Sequence, residues 1–389
     1  MENHTSPQSR QNLFAKLMLF SYPCKGNPKF DYFEYFVYLR RIKQIHMKFR
    51  TEIEIGHGEV TLRPEKPVVM VGSCFADNIS GRMRRCLWDA CNPLGVLFNP
   101  LSIAAALELT LFNPEPEASF RDSLFEHQGI THSWLFDTHT STLDGAEGAT
   151  AIFNRRRDRL RTMLEKGETL FVTFGTAFCY FLNEDSESYQ NYGAYKTYEP
   201  YNTDKAPMPP VVANCHKQPA AMFTRRRVTC GEITDVWLKL AEKLKARFPN
   251  LKIIFTVSPV RHVRDGLAEN SRSKATLLLA VDELCSKMDF CHYFPAYEIV
   301  NDDLRDYRFY ASDLVHPSDE GVEYIWERLR EAYLDEAGLK FLKEGEAIAR
   351  RAAHRPIMEI PEQRAAFRNK TMELYEDFRR HYPDSLELQ

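Results

Sequence analysis

The chain of 389 residues carries 51 basic and 54 acidic side chains, a net charge of −3 with neutral histidines, and 44% hydrophobic and 12% aromatic residues. That apolar content is ample for the core of one large or two ordinary domains, and no Lys/Arg block is long enough to suggest nucleic-acid binding through the phosphate backbone. No apolar run is long enough to span a membrane, and nine cysteines without a C-x-x-C pair fit reduced thiols in a cytoplasm better than a disulfide framework or a knuckle-type metal site.

In chain order, the first segment differs from the remainder of the chain. Polar "MENHTSPQSRQN" leads to "NLFAKLMLFSYP", where Lys16 interrupts a short apolar run and no small-residue cleavage site succeeds it, so the segment does not read as a signal peptide. "FDYFEYFVYLRRIKQIH" reads either as an amphipathic packing helix over 31–45 or as part of an extension over 1–46 ahead of a natural start at Met47. From Met47, "MKFRTEIEI" alternates as a strand does. "PVVMV" (67–71) is a short apolar strand, followed by a helix over "NISGRMRRCLW". "TLFVTFG" (169–175) follows a charged helix around "NRRRDRLRTMLEKG", and "LKIIFTVSP" (251–259) follows "EITDVWLKLAEKLKARFP". "SDEGVEYIWERLREAYL" closes the pattern, and the charged tail from about Gly338 to Gln389 reads as peripheral helices.

Strands this apolar suit a sheet covered on both faces, and their alternation with helices predicts an α/β fold around a parallel sheet. Ligand sites of such sheets lie beyond the carboxyl ends of the strands. Gly72-Ser73, Gly175-Thr176 and Ser258-Pro259 all fall there. The expected organisation is an extension over 1–46, one catalytic domain over 47–334 and a helical appendage over 335–389.

Candidate chemistry begins at the turn in "VMVGSCFADNISGRM". Ser73 either serves as a nucleophile whose developing charge is favoured by the helix N-terminus or simply caps that helix. A serine nucleophile needs a base, and the base an orienting carboxylate. "SDLVHPSDEG" (312–321) offers both on one loop: Asp313 stands three residues before His316, ahead of the last helix. Cys74 is the chemical rival of Ser73, because a thiol at a helix N-terminus is easier to ionise; its expected place is on the helix packing side, as a small buried hydrophobe.

These stretches, together with "NPLGVLFNP", "FEHQGITHSW", "TFGTAF", "NCHK", "FTVSPVRHVRDG", "NSRSKATLLLAVDEL" and "YRFYASDLVHPSDEG", resemble the GSCFA-domain family, a branch of the SGNH/GDSL hydrolase superfamily, over roughly Met47 to Leu334. The resemblance implies a three-layer α/β/α sandwich with a central parallel sheet in flavodoxin-like order. It also implies a serine hydrolase triad in which Ser73 attacks an ester, His316 takes its proton and Asp313 orients the imidazole. The oxyanion donors it implies are the Ser73 amide and Gly95. The superfamily's third donor, an asparagine in a G-x-N motif, is replaced here by Ala177 in "FGTAF". Pairing of "AFCYFLN" with "VVANCHK" as a hairpin would bring Asn214 near Gly175 as a substitute donor; Thr176 is the other candidate. Between these two runs, a tyrosine-rich stretch from Glu184 to Pro210 reads as a lid or an insertion.

Arg261, His262 and His216 are candidate substrate contacts, although an Arg261 paired to Asp265 or Asp313 is an equal structural alternative. His127, His132 and Trp134 mix aromatic and polar groups in a way that suits either a carbohydrate surface or plain packing. The expected activity is hydrolysis of a small O-acyl or O-acetyl ester, on a small molecule or an acylated saccharide, with no cofactor and no metal. A catalytically silent fold that binds a carbohydrate or protein partner, and an acyltransferase with the same triad, are the alternatives.

Overall fold

A computed structural model of the chain describes residues 50–56, 60–183, 202–203, 206–207, 210–354 and 361–388. All but Arg50 belong to the unit Thr51–Gln389, the second of two into which the chain divides. The helix expected over 31–45 and most of the tyrosine-rich stretch lie outside the described residues.

The three apolar runs form β1 (Val68–Gly72), β5 (Thr169–Phe174) and β11 (Lys252–Val257). Two shorter strands, β2 (Ala90–Cys91) and β12 (Cys291–Tyr293), complete a five-stranded sheet in the order β12-β11-β5-β1-β2, parallel throughout. This is the flavodoxin-like order that the resemblance implies. Among the described residues, three small antiparallel sheets stand apart: β3 (Leu124–His127) with β4 (Ile130–Ser133), β7 (Asn202–Thr203) with β8 (Ala206–Pro207), and β10 (Phe223–Arg227), β6 (Phe178–Leu182) and β9 (Val211–Val212) in that order.

The side-chain alternation of a strand sorts the core into two layers. Val69, Val71, Leu170, Val172, Ile253 and Phe255 face one cluster, whereas Val68, Met70, Phe171 and Ile254 face the other. The first cluster is covered by α2 (Pro100–Leu111), α4 (Gly145–Lys166), α5 (Cys230–Arg247) and α6 (Leu267–Lys287), with the short α3 (Pro116–Asp122) beside them. The second is covered by α1 (Cys74–Arg85), α7 (Asp319–Tyr333), α8 (Glu336–Ala353) and α9 (Pro361–His381). Together they make a three-layer α/β/α sandwich. Helix α2 is buried along its whole length; its Glu108, fully buried, is paired with Lys243 at 3.2 Å, which compensates an otherwise costly charge.

Two local expectations change. The alternating run after Met47 forms no strand over residues 50–56. Its Ile53 and Ile55 pack half-buried on the second cluster, and Arg328 donates to the Ile53 carbonyl. Alternation requires only one apolar side, which a single extended segment satisfies without a ladder partner. The charged tail, expected at the periphery, supplies part of the core: Phe341 meets Trp88 edge-on at 5.2 Å, and Phe378 and Tyr382 pack on Phe341.

At the end of β1, Gly72 has φ +127° and pairs with Thr173 of β5 so closely that a Cβ would stand 2.1 Å from the Thr173 carbonyl oxygen. Only glycine combines that backbone angle with that approach. Gly72→Ala is therefore expected to lower stability by about 2–3 kcal/mol through strain and displacement of β5; the midpoint of urea unfolding measures it, and an unchanged midpoint would disprove the steric assignment.

Candidate active site

Ser73 follows Gly72 in extended conformation (φ −69°, ψ 172°) and is the N-cap of α1: its Oγ accepts the Phe75 amide at 3.4 Å. The residue is only 2% exposed. A long capping bond leaves the hydroxyl proton and one lone pair uncommitted, and the helix N-terminus favours negative charge at that oxygen. Cap and nucleophile are thus compatible roles for one atom. Gly175, just beyond β5, borders Ser73 directly, since a Cβ on it would lie 3.4 Å from Ser73 Cβ and 2.9 Å from the Phe98 carbonyl oxygen. Cys74 begins α1 half-buried. Burial, then the neighbouring Asp77, push its thiol up against the opposing pull of helix amides and Lys274, so the group is held as a thiol rather than a thiolate.

Asp313 and His316 meet on the loop before α7. His316 Nδ1 donates to Asp313 Oδ2 at 2.7 Å, which places the proton on Nδ1 and leaves Nε2 as a proton acceptor. Asp313 Oδ1 accepts the amides of Val315 at 2.9 Å and His316 at 3.0 Å. Those two amides, then the imidazole, hold the Asp313 carboxyl down at about 2. The tight loop needs Leu314 at φ +57°, a left-handed conformation that costs a branched residue energy. Both side chains are half-exposed. The loop is tied to the sheet where the Arg261 amide, beyond β11, donates to the Val315 carbonyl at 3.2 Å. Ser73 and the Asp313–His316 pair therefore stand at the same carboxyl edge, with β5 between their strands, but no hydrogen bond joins Ser73 Oγ to His316 Nε2.

Three of the four expected oxyanion donors already have partners. The Ser73 amide donates to Thr173 O at 3.3 Å, Gly95 to Asn92 O at 3.3 Å and Thr176 to Phe98 O at 3.0 Å. The first two are long bonds, so they yield more readily than the third. The Thr176 hydroxyl is also occupied: it accepts the Phe178 amide and lies 3.3 Å from His262 Nε2 and 3.2 Å from Ser273 Oγ. Thr176 is accordingly part of the scaffold. The Ala177 amide donates to Ser273 Oγ at 2.8 Å.

The hairpin expected between "AFCYFLN" and "VVANCHK" forms, with Tyr180 opposite Val212 and Phe181 opposite Val211. The pairing ends at Val212, where the Ala213 amide turns to the Trp134 carbonyl at 2.7 Å, and Asn214 follows outside the ladder. Its Oδ1 accepts the His216 amide at 2.8 Å, which leaves Nδ2 as the atom able to donate. His216 turns elsewhere: its Nε2 donates to the Ser133 carbonyl at 2.8 Å, and its ring lies 4.6 Å from His132 and 5.6 Å from Phe125, which stacks on Trp134. Burial depresses the pKa of both His216 and His132. His132, Trp134 and His216 thus form a packed cluster on the β3–β4 hairpin, and no contact carries His216 to Ser73. Arg261 donates to the Tyr310 hydroxyl at 2.8 Å and stacks over that ring, rather than pairing with Asp265 or Asp313. His262 is held by its amide on Asn270 Oδ1 and kept neutral mainly by burial, then by Lys274.

Two residues that sequence reasoning passed over support this edge. Asp137, 5% exposed, accepts the Val96 amide at 3.0 Å, Arg156 at 3.0 Å and His139 at 2.9 Å. Burial opposes its ionisation, but Arg156, His139 and the Val96 amide outweigh that and hold its carboxyl below the usual range. It also lies against Gly95, where φ is +76° and a Cβ would meet its carboxylate at 2.3 Å. Lys274, in "NSRSK" at the start of α6, is 1% exposed and donates to Gly175 O and Ser258 O, both at 2.6 Å. The one signal in the sequence is a polar i, i+3, i+4 set, Asn270, Ser273 and Lys274, on the face of the helix that continues as Leu277, Ala280, Val281 and Leu284.

Residues 67–329 match the GSCFA family. No curated protein matches the chain.

Asp137→Ala would strand a largely buried Arg156, and a loss of about 3 kcal/mol is expected in urea unfolding; a change below about 1 kcal/mol would contradict the network. For Lys274, burial depresses the ammonium pKa from 10.5 to about 7, with Cys74 opposing weakly. Between those values the unfolded chain binds a proton that the folded chain has released, so this group's contribution becomes more favourable as pH rises, by about 1.4 kcal/mol per pH unit at most. Cys74 and His262 are the titratable groups that face it. Wild type is expected to gain melting temperature relative to Lys274→Met between pH 7 and 9.5, and a constant difference would contradict the depressed pKa.

Proposed function

Because the chain belongs to the GSCFA family, we propose that it is a serine hydrolase of the SGNH/GDSL superfamily, an esterase that cleaves a small O-acyl or O-acetyl group from an alcohol such as a saccharide, in the cytoplasm. The observation that carries this reading is the Asp313–His316 pair, whose 2.7 Å bond fixes the imidazole tautomer with Nε2 as acceptor, on a loop tied to the sheet edge that bears Ser73.

In this reading His316 Nε2 takes the Ser73 hydroxyl proton as Oγ attacks the acyl carbonyl. Collapse of the tetrahedral intermediate breaks the ester C–O bond, and the imidazolium returns the proton to the leaving alcohol. Water, deprotonated by the same imidazole, then releases the acyl group. Asp313 balances the imidazolium charge. The Ser73 and Gly95 amides, each now on a 3.3 Å bond, and Asn214 Nδ2 are the candidate donors to the oxyanion, a role whose loss typically costs a hundredfold or more in rate. An acyl acceptor other than water would make the same steps an acyl transfer.

A catalytically silent binding fold is the second reading, favoured by the burial of Ser73 and the prior commitment of those amides. A fluorophosphonate probe and p-nitrophenyl acetate separate the two. Wild type is expected to label and turn over, and Ser73→Ala to do neither. Turnover by His316→Ala should fall by about 10²–10⁴-fold, whereas Cys74→Ala should stay within a few fold of wild type. The lost cap should cost Ser73→Ala only about 1 kcal/mol of stability. An unreactive wild type would favour the silent fold, and reactivity lost only in Cys74→Ala would overturn the nucleophile.

A further inference from the structure

Lys274 carries an amino group into an apolar helix–sheet interface, where its own helix buries Leu277, Ala280 and Val281 completely or nearly so. Packing explains those three residues but not an amine, since a polar group transferred from water to such a site is costly unless its hydrogen bonds are made. Its two bonds reach particular places. Gly175 and Ser258 are the residues immediately beyond β5 and β11, where the parallel ladder runs out. The Gly175 backbone abuts Ser73. From Ser258 the chain passes Pro259 and Val260 to Arg261, whose amide holds the Val315 carbonyl between Asp313 and His316. The amine nitrogen is thus the central link of a continuous path: Ser73 to Gly175, Gly175 O to Nζ, Nζ to Ser258 O, and Arg261 to the His316 loop.

The same face of α6 repeats the arrangement on either side. Asn270 Oδ1 accepts the His262 amide beyond β11, and Ser273 Oγ accepts the Ala177 amide beyond β5. Three polar groups on successive inward positions therefore grip both strand ends, and Lys274 alone grips the two at once.

We propose that Lys274 is a positioning residue of the hydrolase, one whose amino group clamps the ends of β5 and β11 and so sets the separation between Ser73 and His316. This rests on the reading of Ser73 as nucleophile and His316 as base. Lys274 touches no reacting atom; it acts through the backbone of Gly175 and Ser258.

The test compares the full chain with Lys274→Met, which keeps the length and apolar stem but donates to neither carbonyl, and with Leu277→Ala, a packing change on the same helix. Two measurements are made on folded protein: p-nitrophenyl acetate kinetics, and amide hydrogen exchange at Thr176, Ser258 and Arg261 against Val69 and Val71 in mid-β1. Lys274→Met is expected to lose at least tenfold in kcat with KM within twofold, and to exchange at least tenfold faster at the three edge amides but not in mid-β1. Leu277→Ala is expected to lose melting temperature while its kcat stays within twofold. Unchanged edge exchange in Lys274→Met would overturn the clamp whatever the kinetics, as would an active wild type whose kcat survives Lys274→Met. Equal losses of kcat in both variants would also overturn it, by reducing Lys274 to packing. A wild type without turnover would sink the hydrolase reading instead, with exchange still deciding whether the clamp exists.

Discussion

A parallel sheet covered on both faces has a difficulty at its carboxyl edge. Within the ladder each strand's amides and carbonyls satisfy those of its neighbours, but where the strands stop, buried backbone groups must find other partners away from water. Most of the geometry around Ser73 answers this constraint. The Leu97 amide takes the Gly72 carbonyl, the Phe98 carbonyl takes the amides of both Gly175 and Thr176, and the Ser258 amide takes the Phe174 carbonyl. Gly175 O and Ser258 O receive Lys274, and Ala177 N receives Ser273. The edge is consequently a closed hydrogen-bonded rim, and Ser73 is built into it.

That integration gives Ser73 a double character. It terminates β1 and starts α1, with its side chain capping the helix whose positive end would favour an alkoxide. The Asp313–His316 pair has the opposite surroundings: half-exposed, on a loop held at one side by Arg261 and stiffened by its own backbone bonds to the carboxylate. A buried hydroxyl and an exposed, pre-oriented imidazole make a catalytic pair only when brought together across β5. The backbone that spans this gap is the stretch that Lys274 holds. On the far side, Asp137 does comparable work for the Gly95 turn, taking an amide, a guanidinium and an imidazole at once.

Much of the fold was legible because the strands in question are short, wholly apolar and separated by amphipathic helices. β1, β5 and β11 lie within two residues of their expected bounds. β2 and β12 were not legible: two- and three-residue edge strands carry too few side chains for a period of two to appear. The strand expected after Met47 failed for a related reason, since alternation reports an apolar side and not the existence of a partner. At the site, Asp313–His316 was readable because its spacing of three fits one loop. His216 was not, because the turn after Asn214 sends its ring toward Ser133 and His132, and nothing in "NCHK" encodes that direction.

What the sequence by itself determined is local: glycine at the end of β1, where a Cβ would stand 2.1 Å from the Thr173 carbonyl oxygen, serine at the first cap, an Asp and a His on one loop, and apolar runs that demand a covered sheet. What only the tertiary structure decided is which distant backbone groups each polar side chain satisfies. Lys274 reads in sequence as one more surface-type residue of a helix, and Asp137 as one more loop carboxylate. Their roles come from the strand ends and turns against which folding buries them, residues tens of positions away. Burial makes an unpaired backbone group expensive, and the positions where that expense must be met are set by chain topology rather than by local pattern.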